Sequence, residues 1–75
     1  MVRLKNISRT GKQVTMDCYE EGDQGRFHHV VFDAESLEIM NDVKNNIYIR
    51  QGIAKIWKYL SSGEEFPQEA VSYWY

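Results

Sequence analysis

Two adjacent histidines, His28 and His29, are the residues of this sequence best suited to binding a metal or moving a proton. They lie among β-forming residues, and consecutive residues of a strand point to opposite faces of a sheet. The two rings therefore cannot easily hold one metal ion together. No Cys or His spacing typical of zinc sites occurs elsewhere in the chain. We expect neither a metal site nor a cofactor.

Cys18 and His28 form a second candidate pair, because the predicted strand pairing sets them opposite each other. A nucleophilic thiolate needs partial exposure, a lowered pKa and groups that stabilise an oxyanion. Both residues fall on the predicted core face, where a free cysteine packs as a small apolar side chain. A chain of 75 residues also has little room for a closed substrate pocket. We therefore predict that the protein is not an enzyme.

Asp17 and His29 pair across the same two strands, on the opposite face of the sheet. The carboxylate could hold a charged imidazole, and the pair would then respond to mild acid. Opposite charges across a sheet are also common stabilising contacts, worth about 0.2–1 kcal/mol. The sequence leaves both interpretations open.

This second face of the predicted sheet is rich in aromatic and apolar side chains. Its members are Thr15, Asp17, Tyr19, Phe27, His29, Val31, Glu38 and Met40. A single helix covers only one face, and an uncovered apolar patch with polar neighbours is typical of a contact site. We predict a protein-binding surface that centres on Tyr19, Phe27, His29 and Met40. The alternative is that the aromatic C-terminal residues fold back and cover this face.

The C-terminal pair Trp74 and Tyr75 is a further candidate for protein binding. Aromatic side chains supply a large contact area with little loss of rotamer entropy, which the centre of an interface requires. In this hypothesis the chain associates with itself, and Trp74 and Tyr75 form the contact between copies.

Clustered basic residues indicate nucleic-acid binding as an alternative function. The first twelve residues contain four cations and no acid, and a second basic group occurs at residues 44–58. Aromatic residues beside a basic surface can stack and steer single strands. This hypothesis assigns nucleic-acid binding to Arg3, Lys5, Arg50, Lys55 and Lys58. Against it, the aromatic face carries Asp17 and Glu38, and the formal net charge of the chain is −2.

The elements that position these side chains form an α+β fold. Patterns of apolar and polar residues predict strands at residues 2–8, 14–19, 26–32 and 37–40. Val2 and Leu4 share one parity while Ile7 has the other, so the first strand should contain a bulge or a kink. We expect an antiparallel β-meander of about four strands in the order β-β-β-β-α-β, within a single domain at residues 1–75.

Strand register follows from the side chains, because a slip of one residue would exchange the two faces. With Cys18 opposite His28, the predicted core face consists of Val14, Met16, Cys18, His28, Val30, Phe32, Leu37 and Ile39. Across the turn at residues 33–36, Phe32 then pairs with Leu37.

An amphipathic helix follows, with Asn45 or Asn46 as its N-cap and a stop at residues 61–63. Its apolar stripe comprises Ile49, Ile53, Ile56, Trp57 and Leu60, and the basic residues lie opposite. Gly52 lies beside the stripe and suggests a close approach to the sheet. Residues 70–75 favour a fifth, edge strand or a tail, and a short helix that begins at Pro67 is the alternative.

Composition indicates a cytoplasmic protein. The single cysteine cannot form an internal disulfide, which small secreted domains usually need. The first ten residues do not have the pattern of a secretory signal, and no stretch approaches the roughly 20 apolar residues that span a bilayer. We expect a cytoplasmic location and no membrane partner.

Several short sequence features, distributed over most of the chain, carry a resemblance. They are Lys5-Asn6-Ile7, Tyr19 before a loop that contains Gly22, and Pro67 followed by a terminal Trp74-Tyr75. Together they resemble a group of short uncharacterised bacterial proteins that end in Trp-Tyr. The resemblance implies a bacterial, cytoplasmic origin and no particular function.

Overall fold

Four β-strands and one α-helix, in the order β-β-β-α-β, make up the computed structural model, which describes residues 1–74. In chain order they are β1 (Val2–Thr10), β2 (Gln13–Glu20), β3 (Phe27–Asp33), α1 (Ile47–Ser62) and β4 (Glu69–Ser72). Neighbouring strands are antiparallel, and their order across the sheet is β3-β2-β1-β4. The predicted α+β class, with one helix on an antiparallel sheet, is confirmed.

The register of β2 and β3 is the predicted one, with Cys18 opposite His28 and Met16 opposite Val30. Every apolar residue that β2 directs toward the helix is fully buried. Because the pleat alternates faces, this register also fixes which side chains point away from the helix.

The predicted bulge in β1 is confirmed. The pairing of β1 with β2 shifts between Lys5 and Ser8, where Asn6 adopts a φ of 53°. The extra residue changes the parity of the strand. Leu4 before the bulge and Ile7 after it are therefore both buried in the same core.

The predicted strand at residues 37–40 is wrong, and so is its pairing of Phe32 with Leu37. Phe32 makes an isolated bridge to Ile39 instead. The cause is the turn chemistry of Asp33, whose carboxylate accepts hydrogen bonds from the backbone N–H groups of the residues two and three positions later. Leu37 takes a φ of 63° in this turn, so the pairing begins two residues later than predicted.

Residues 38–41 cover the outer edge of β3 from His29 to Asp33. The N–H of Met40 donates to the carbonyl of Val31 at 2.7 Å. The side-chain amide of Asn41 accepts from the Val31 N–H at 2.9 Å and donates to the His29 carbonyl at 2.8 Å. These bonds occupy backbone groups that an edge strand would otherwise present to another chain.

The C-terminal segment forms the edge strand β4, one of the outcomes that the sequence predicted. It pairs with β1, so that Val71 lies opposite Arg3 and Ala70 opposite Leu4. The chain thus crosses from β3 through α1 to the far side of the sheet, a departure from a simple meander. Within residues 1–74, no hydrogen bond to another segment covers the outer edge of β4.

Helix α1 begins and ends at strong capping positions. The side chain of Asn46 accepts from the Ile49 N–H at 3.0 Å, which confirms one of the two predicted N-caps. Gly63 adopts a left-handed φ of 75°, and its N–H donates to the Tyr59 carbonyl. No helix in the described part of the chain has the length and apolar character needed to cross a membrane.

The core lies between α1 and one face of the sheet. Its buried apolar residues are Val2, Leu4, Ile7, Val14, Met16, Cys18, Val30, Phe32, Ile49, Ile53 and Ile56. Trp57, which the sequence assigned to the apolar stripe of the helix, is 49% exposed, so that prediction is wrong. It follows Ile56 directly and therefore lies about 100° further around the helix, at the margin of the buried stripe.

Candidate interaction surface

The face of the sheet that α1 does not cover carries three of the predicted protein-binding residues, Tyr19, Phe27 and His29. Residues directly opposite each other in a sheet share a face, so the register defines two rows across it. From β3 to β4 the rows are Phe27, Tyr19, Arg3 and Val71, and His29, Asp17, Lys5 and Glu69. These eight residues are called the open face below.

An aromatic pair occupies the first row, and a cation of the second row lies beside it. The rings of Tyr19 and Phe27 stack, with centroids 5.4 Å apart and planes inclined by 22°. The ammonium group of Lys5 lies 5.3 Å from the centroid of the Tyr19 ring. Since β1 and β3 flank β2 on opposite sides, Phe27 and Lys5 reach that ring from opposite directions. Phe27 remains 52% exposed.

Asp17 is held by two neighbours. Its Oδ1 forms a 2.7 Å hydrogen bond with His29 Nδ1, and its Oδ2 accepts from the Asn6 side-chain amide at 2.8 Å. The cross-strand pair of Asp17 and His29 is thus present, as the sequence predicted. Both carboxylate oxygens are engaged, so Asp17 acts here as an anchor for the bulge of β1 and for the ring of His29.

Arg3 is a half-buried cation in the middle of the open face, between Tyr19 and Val71. Its side chain makes no hydrogen bond or ion pair with any residue in the described range 1–74. Lys5 contacts the Tyr19 ring and forms no ion pair within that range. Two cations without a carboxylate partner therefore lie among the aromatic and apolar side chains.

Met40 and Trp74, two further residues predicted to bind protein, lie in different places. Met40 is 55% exposed, at the outer edge of β3. Trp74 packs against the core and meets the ring of Tyr48 edge-on at 5.6 Å, which places it on the helix side of the sheet. Trp74 therefore does not cover the open face. Tyr75 lies outside the described residues.

The predicted nucleic-acid-binding residues fall on opposite sides of the molecule. Arg3 and Lys5 lie on the open face. Arg50, Lys55 and Lys58 lie on α1, which packs on the other face of the sheet. The sequence treated the five cations as one group, and the structure does not bring them together.

Cys18 and His28 lie opposite each other, but they do not form a nucleophile and its base. Burial, with a smaller contribution from the Asp17 carboxylate, raises the pKa of Cys18 to about 12. The ring of His28 forms a 2.7 Å hydrogen bond with Glu20 through Nε2, beside the Asn46 cap. A fully buried thiol with so high a pKa supplies no thiolate at neutral pH.

Sequence reasoning missed the contribution of β1 and β4 to the open face. Arg3 and Lys5 alternate with the buried Val2 and Leu4, and this alternation alone could have assigned the two cations to the face opposite the helix. The placement of Val71 had no such signal, because it depends on which strand β4 joins.

Within residues 1–74 there is no group of three or more His, Cys, Asp or Glu side chains that could hold a metal ion, and no pocket. Comparison of the chain with protein-family models, curated proteins and solved structures found no match in any of the three.

Proposed function

We propose that this chain is a non-enzymatic protein-interaction module that binds its partner with the open face. The observation that carries the proposal is the exposed stack of Phe27 and Tyr19, flanked by Arg3 and Lys5, which form no ion pair within residues 1–74. Stacked aromatic rings and a desolvated Arg are the kind of residues that dominate the energy of protein interfaces.

The arrangement of the Tyr19 ring favours a protein partner over a nucleic acid. Binding of single strands requires aromatic faces on which bases can stack. The Tyr19 ring already stacks on Phe27, and the ammonium group of Lys5 lies over it. The open face also carries the carboxylates of Asp17 and Glu69, which repel phosphates. A protein partner can use the exposed edge of the stack and pair with Arg3.

Nucleic-acid binding is the second candidate. Because the predicted cations lie on opposite sides of the molecule, each group can be tested separately. The phosphate contacts would have to be made by one group of cations alone, either Arg3 with Lys5 or the basic residues of α1. Phosphate contacts release counterions, so affinity would fall steeply with added salt. An oligonucleotide complex that is absent, or insensitive to salt, would exclude this candidate.

A cytoplasmic, bacterial setting belongs to the same proposal. The lone Cys18 is buried and free, which agrees with a protein that does not depend on disulfides for its stability. A lysate of a bacterial cytoplasm is therefore the appropriate source of partners, and self-association is measured in parallel by light scattering.

The test is a pull-down with the tagged full chain, with and without nuclease, using two matched variants. Phe27→Ala and Trp57→Ala each remove a half-exposed aromatic side chain, from the open face and from the helix respectively. We expect a defined protein to be captured by the wild type and by Trp57→Ala in the presence of nuclease, and to be lost with Phe27→Ala. The proposal would be overturned if a folded Phe27→Ala variant captured, undiminished, every protein that Trp57→Ala also captures.

A further inference from the structure

The outward side of α1 has the residue spacing of a surface that packs against a second helix. Ile47, Arg50, Ala54, Trp57 and Ser61 follow one another at alternating intervals of three and four residues. Their side chains point away from the sheet and are exposed. This spacing forms the seam at which two helices pack with axes about 8–10 Å apart. We call these five residues, with Lys58 beside them, the outer stripe.

The outer stripe contains a small apolar ridge. Ile47 is 45% exposed and Trp57 is 49% exposed, and Ala54 lies between them. A helix of this length usually directs large apolar side chains to the core and polar ones to solvent. Two large apolar side chains on the solvent side, with a small residue between them, form a contact surface about 15 Å long at 1.5 Å per residue.

The charge of α1 is of one sign only. Residues 45–63 contain Arg50, Lys55 and Lys58 and no acid. The three cationic side chains make no hydrogen bond or ion pair with any residue in the described range 1–74. Elsewhere in the chain, acids outnumber bases. The helix therefore presents cations that form no ion pair with a carboxylate of the described residues.

We propose that the outer stripe binds an acidic amphipathic helix of a partner protein. The apolar side of that helix packs on Ile47, Ala54 and Trp57, and its flanking carboxylates pair with Arg50 and Lys58. This surface lies on the opposite side of the molecule from the open face. The proposal therefore goes beyond the function proposed above and does not depend on it.

Charge decides between this partner and a second copy of the chain. An antiparallel pair of α1 helices related by a twofold axis at Ala54 would set Arg50 opposite Lys58 of the other copy. Like charges at such positions are destabilising. An acidic helix replaces that repulsion with attraction on both flanks of the apolar ridge.

The apolar ridge decides between this partner and a nucleic acid. A nucleic acid would bind the three cations through its phosphates. Trp57 could stack on a base, but Ile47 would have no role in the contact. The cations are also spread around the helix, because Lys55 lies about 140° from Arg50 at 100° per residue. A helical partner uses the ridge and the two cations beside it together.

The test uses a designed peptide of about 21 residues, three heptads long, with Leu at the seam positions and Glu beside them. It contains no Trp, so fluorescence of Trp57 reports binding in a full-length Trp74→Phe background. A matched peptide carries Lys in place of every Glu. Calorimetry with the unmodified chain gives the affinity without the background substitution.

We expect the acidic peptide to bind and the basic peptide not to bind. The double variant Arg50→Glu and Lys58→Glu should weaken the complex at least about tenfold, a change of about 1.4 kcal/mol. Trp57→Ala should weaken it by a similar factor. Phe27→Ala, on the open face, should leave the affinity unchanged. Circular dichroism checks that each variant is folded, and because Arg50 and Lys58 are exposed the charge reversals spare the core.

Three results would overturn the proposal. The first is equal affinity for the two peptides, or no binding of the acidic one. The second is displacement of the acidic peptide by oligo-dT or a DNA duplex at lower concentration, which would assign the stripe to nucleic acid. The third is concentration-dependent dimerisation that Trp57→Ala abolishes, which would assign it to a second copy. Loss of the open-face partner with Phe27→Ala affects only the function proposed earlier.

Discussion

Gly52 of α1 lies directly over Leu4 of β1, so closely that a Cβ atom at Gly52 would come within 2.9 Å of the Leu4 Cδ2 atom. The same Cβ would lie 3.2 Å from Met16 Cε and 3.3 Å from Cys18 Sγ. All three neighbours are fully buried and packed by the core. The helix can approach the sheet at this distance only because position 52 has no side chain.

Gly52→Ala should therefore destabilise the protein, although alanine favours a helix by about 1 kcal/mol. Overpacking a filled core costs about 1–3 kcal/mol, which exceeds that gain. We expect the free energy of unfolding, measured with urea, to fall by about 1 kcal/mol. Ala54→Gly, at an exposed position of the same helix, is the control for propensity alone. A more stable Gly52→Ala variant would contradict the contact with Leu4.

Asn41→Ala should both destabilise the protein and open the edge of β3. The Asn41 side chain makes two hydrogen bonds to the backbone of β3, and each bond contributes about 0.5–1.5 kcal/mol. We expect faster amide exchange at Val31, which loses its acceptor. Asn45→Ala is the matched control, because the side chain of Asn45 makes no hydrogen bond within the described residues. Equal exchange at Val31 in the two variants would refute the role of Asn41.

Asp33 should contribute to the loss of stability in acid. Backbone N–H groups of Ser36 and Glu35 hold the pKa of its carboxyl below the usual value. A group whose pKa is lower in the folded state stabilises the protein above its unfolded pKa, about 3.9, and this contribution is lost as pH falls through the folded pKa. Asp33→Asn cannot ionise, so its unfolding free energy should fall less steeply below about pH 4. Denaturant titrations at several pH values measure both slopes, and identical slopes would contradict the assignment.

Cys18 should resist alkylation in the folded protein. Its pKa of about 12 and its complete burial leave neither a thiolate nor access for a reagent. We expect iodoacetamide at pH 8 to modify the native protein at least about 100-fold more slowly than the urea-unfolded chain, since reaction requires opening. Mass spectrometry follows the adduct. Rapid modification of the native protein would contradict this prediction and indicate a reactive cysteine.

The sequence predicted those parts of the fold that depend on local patterns. Alternation on β2 and β3 was enough to set Cys18 opposite His28 and to put Tyr19 and Phe27 together on the other face. The helix caps were predictable because Asn and Gly at helix ends satisfy backbone groups locally. The bulge at Asn6 was readable from the change of parity between Leu4 and Ile7.

What the sequence did not predict depends on contacts distant in the chain or on side-chain turn chemistry. The Asp33 carboxylate binds the backbone N–H groups that follow it, so the turn is longer than the sequence pattern predicted. The longer turn takes the place of the start of the expected fourth strand. The choice of β1 as the neighbour of β4 is a matter of topology, and it brought Val71 beside Arg3. Trp57 was assigned to the core because it borders the buried stripe, and only the packing of α1 on the sheet shows which side of that border it occupies.

The unequal edges of the sheet set a limit on polymerisation. Residues 38–41 cover one edge from His29 to Asp33, whereas the outer edge of β4 has no cover from any other segment in the part of the chain that the structure describes. If two molecules paired through β4, the joined sheet would have β3 at both of its ends, and at each end residues 38–41 would occupy backbone groups between His29 and Asp33. Strand addition beyond two molecules would then be disfavoured, whereas an endless fibre requires two free edges on each unit.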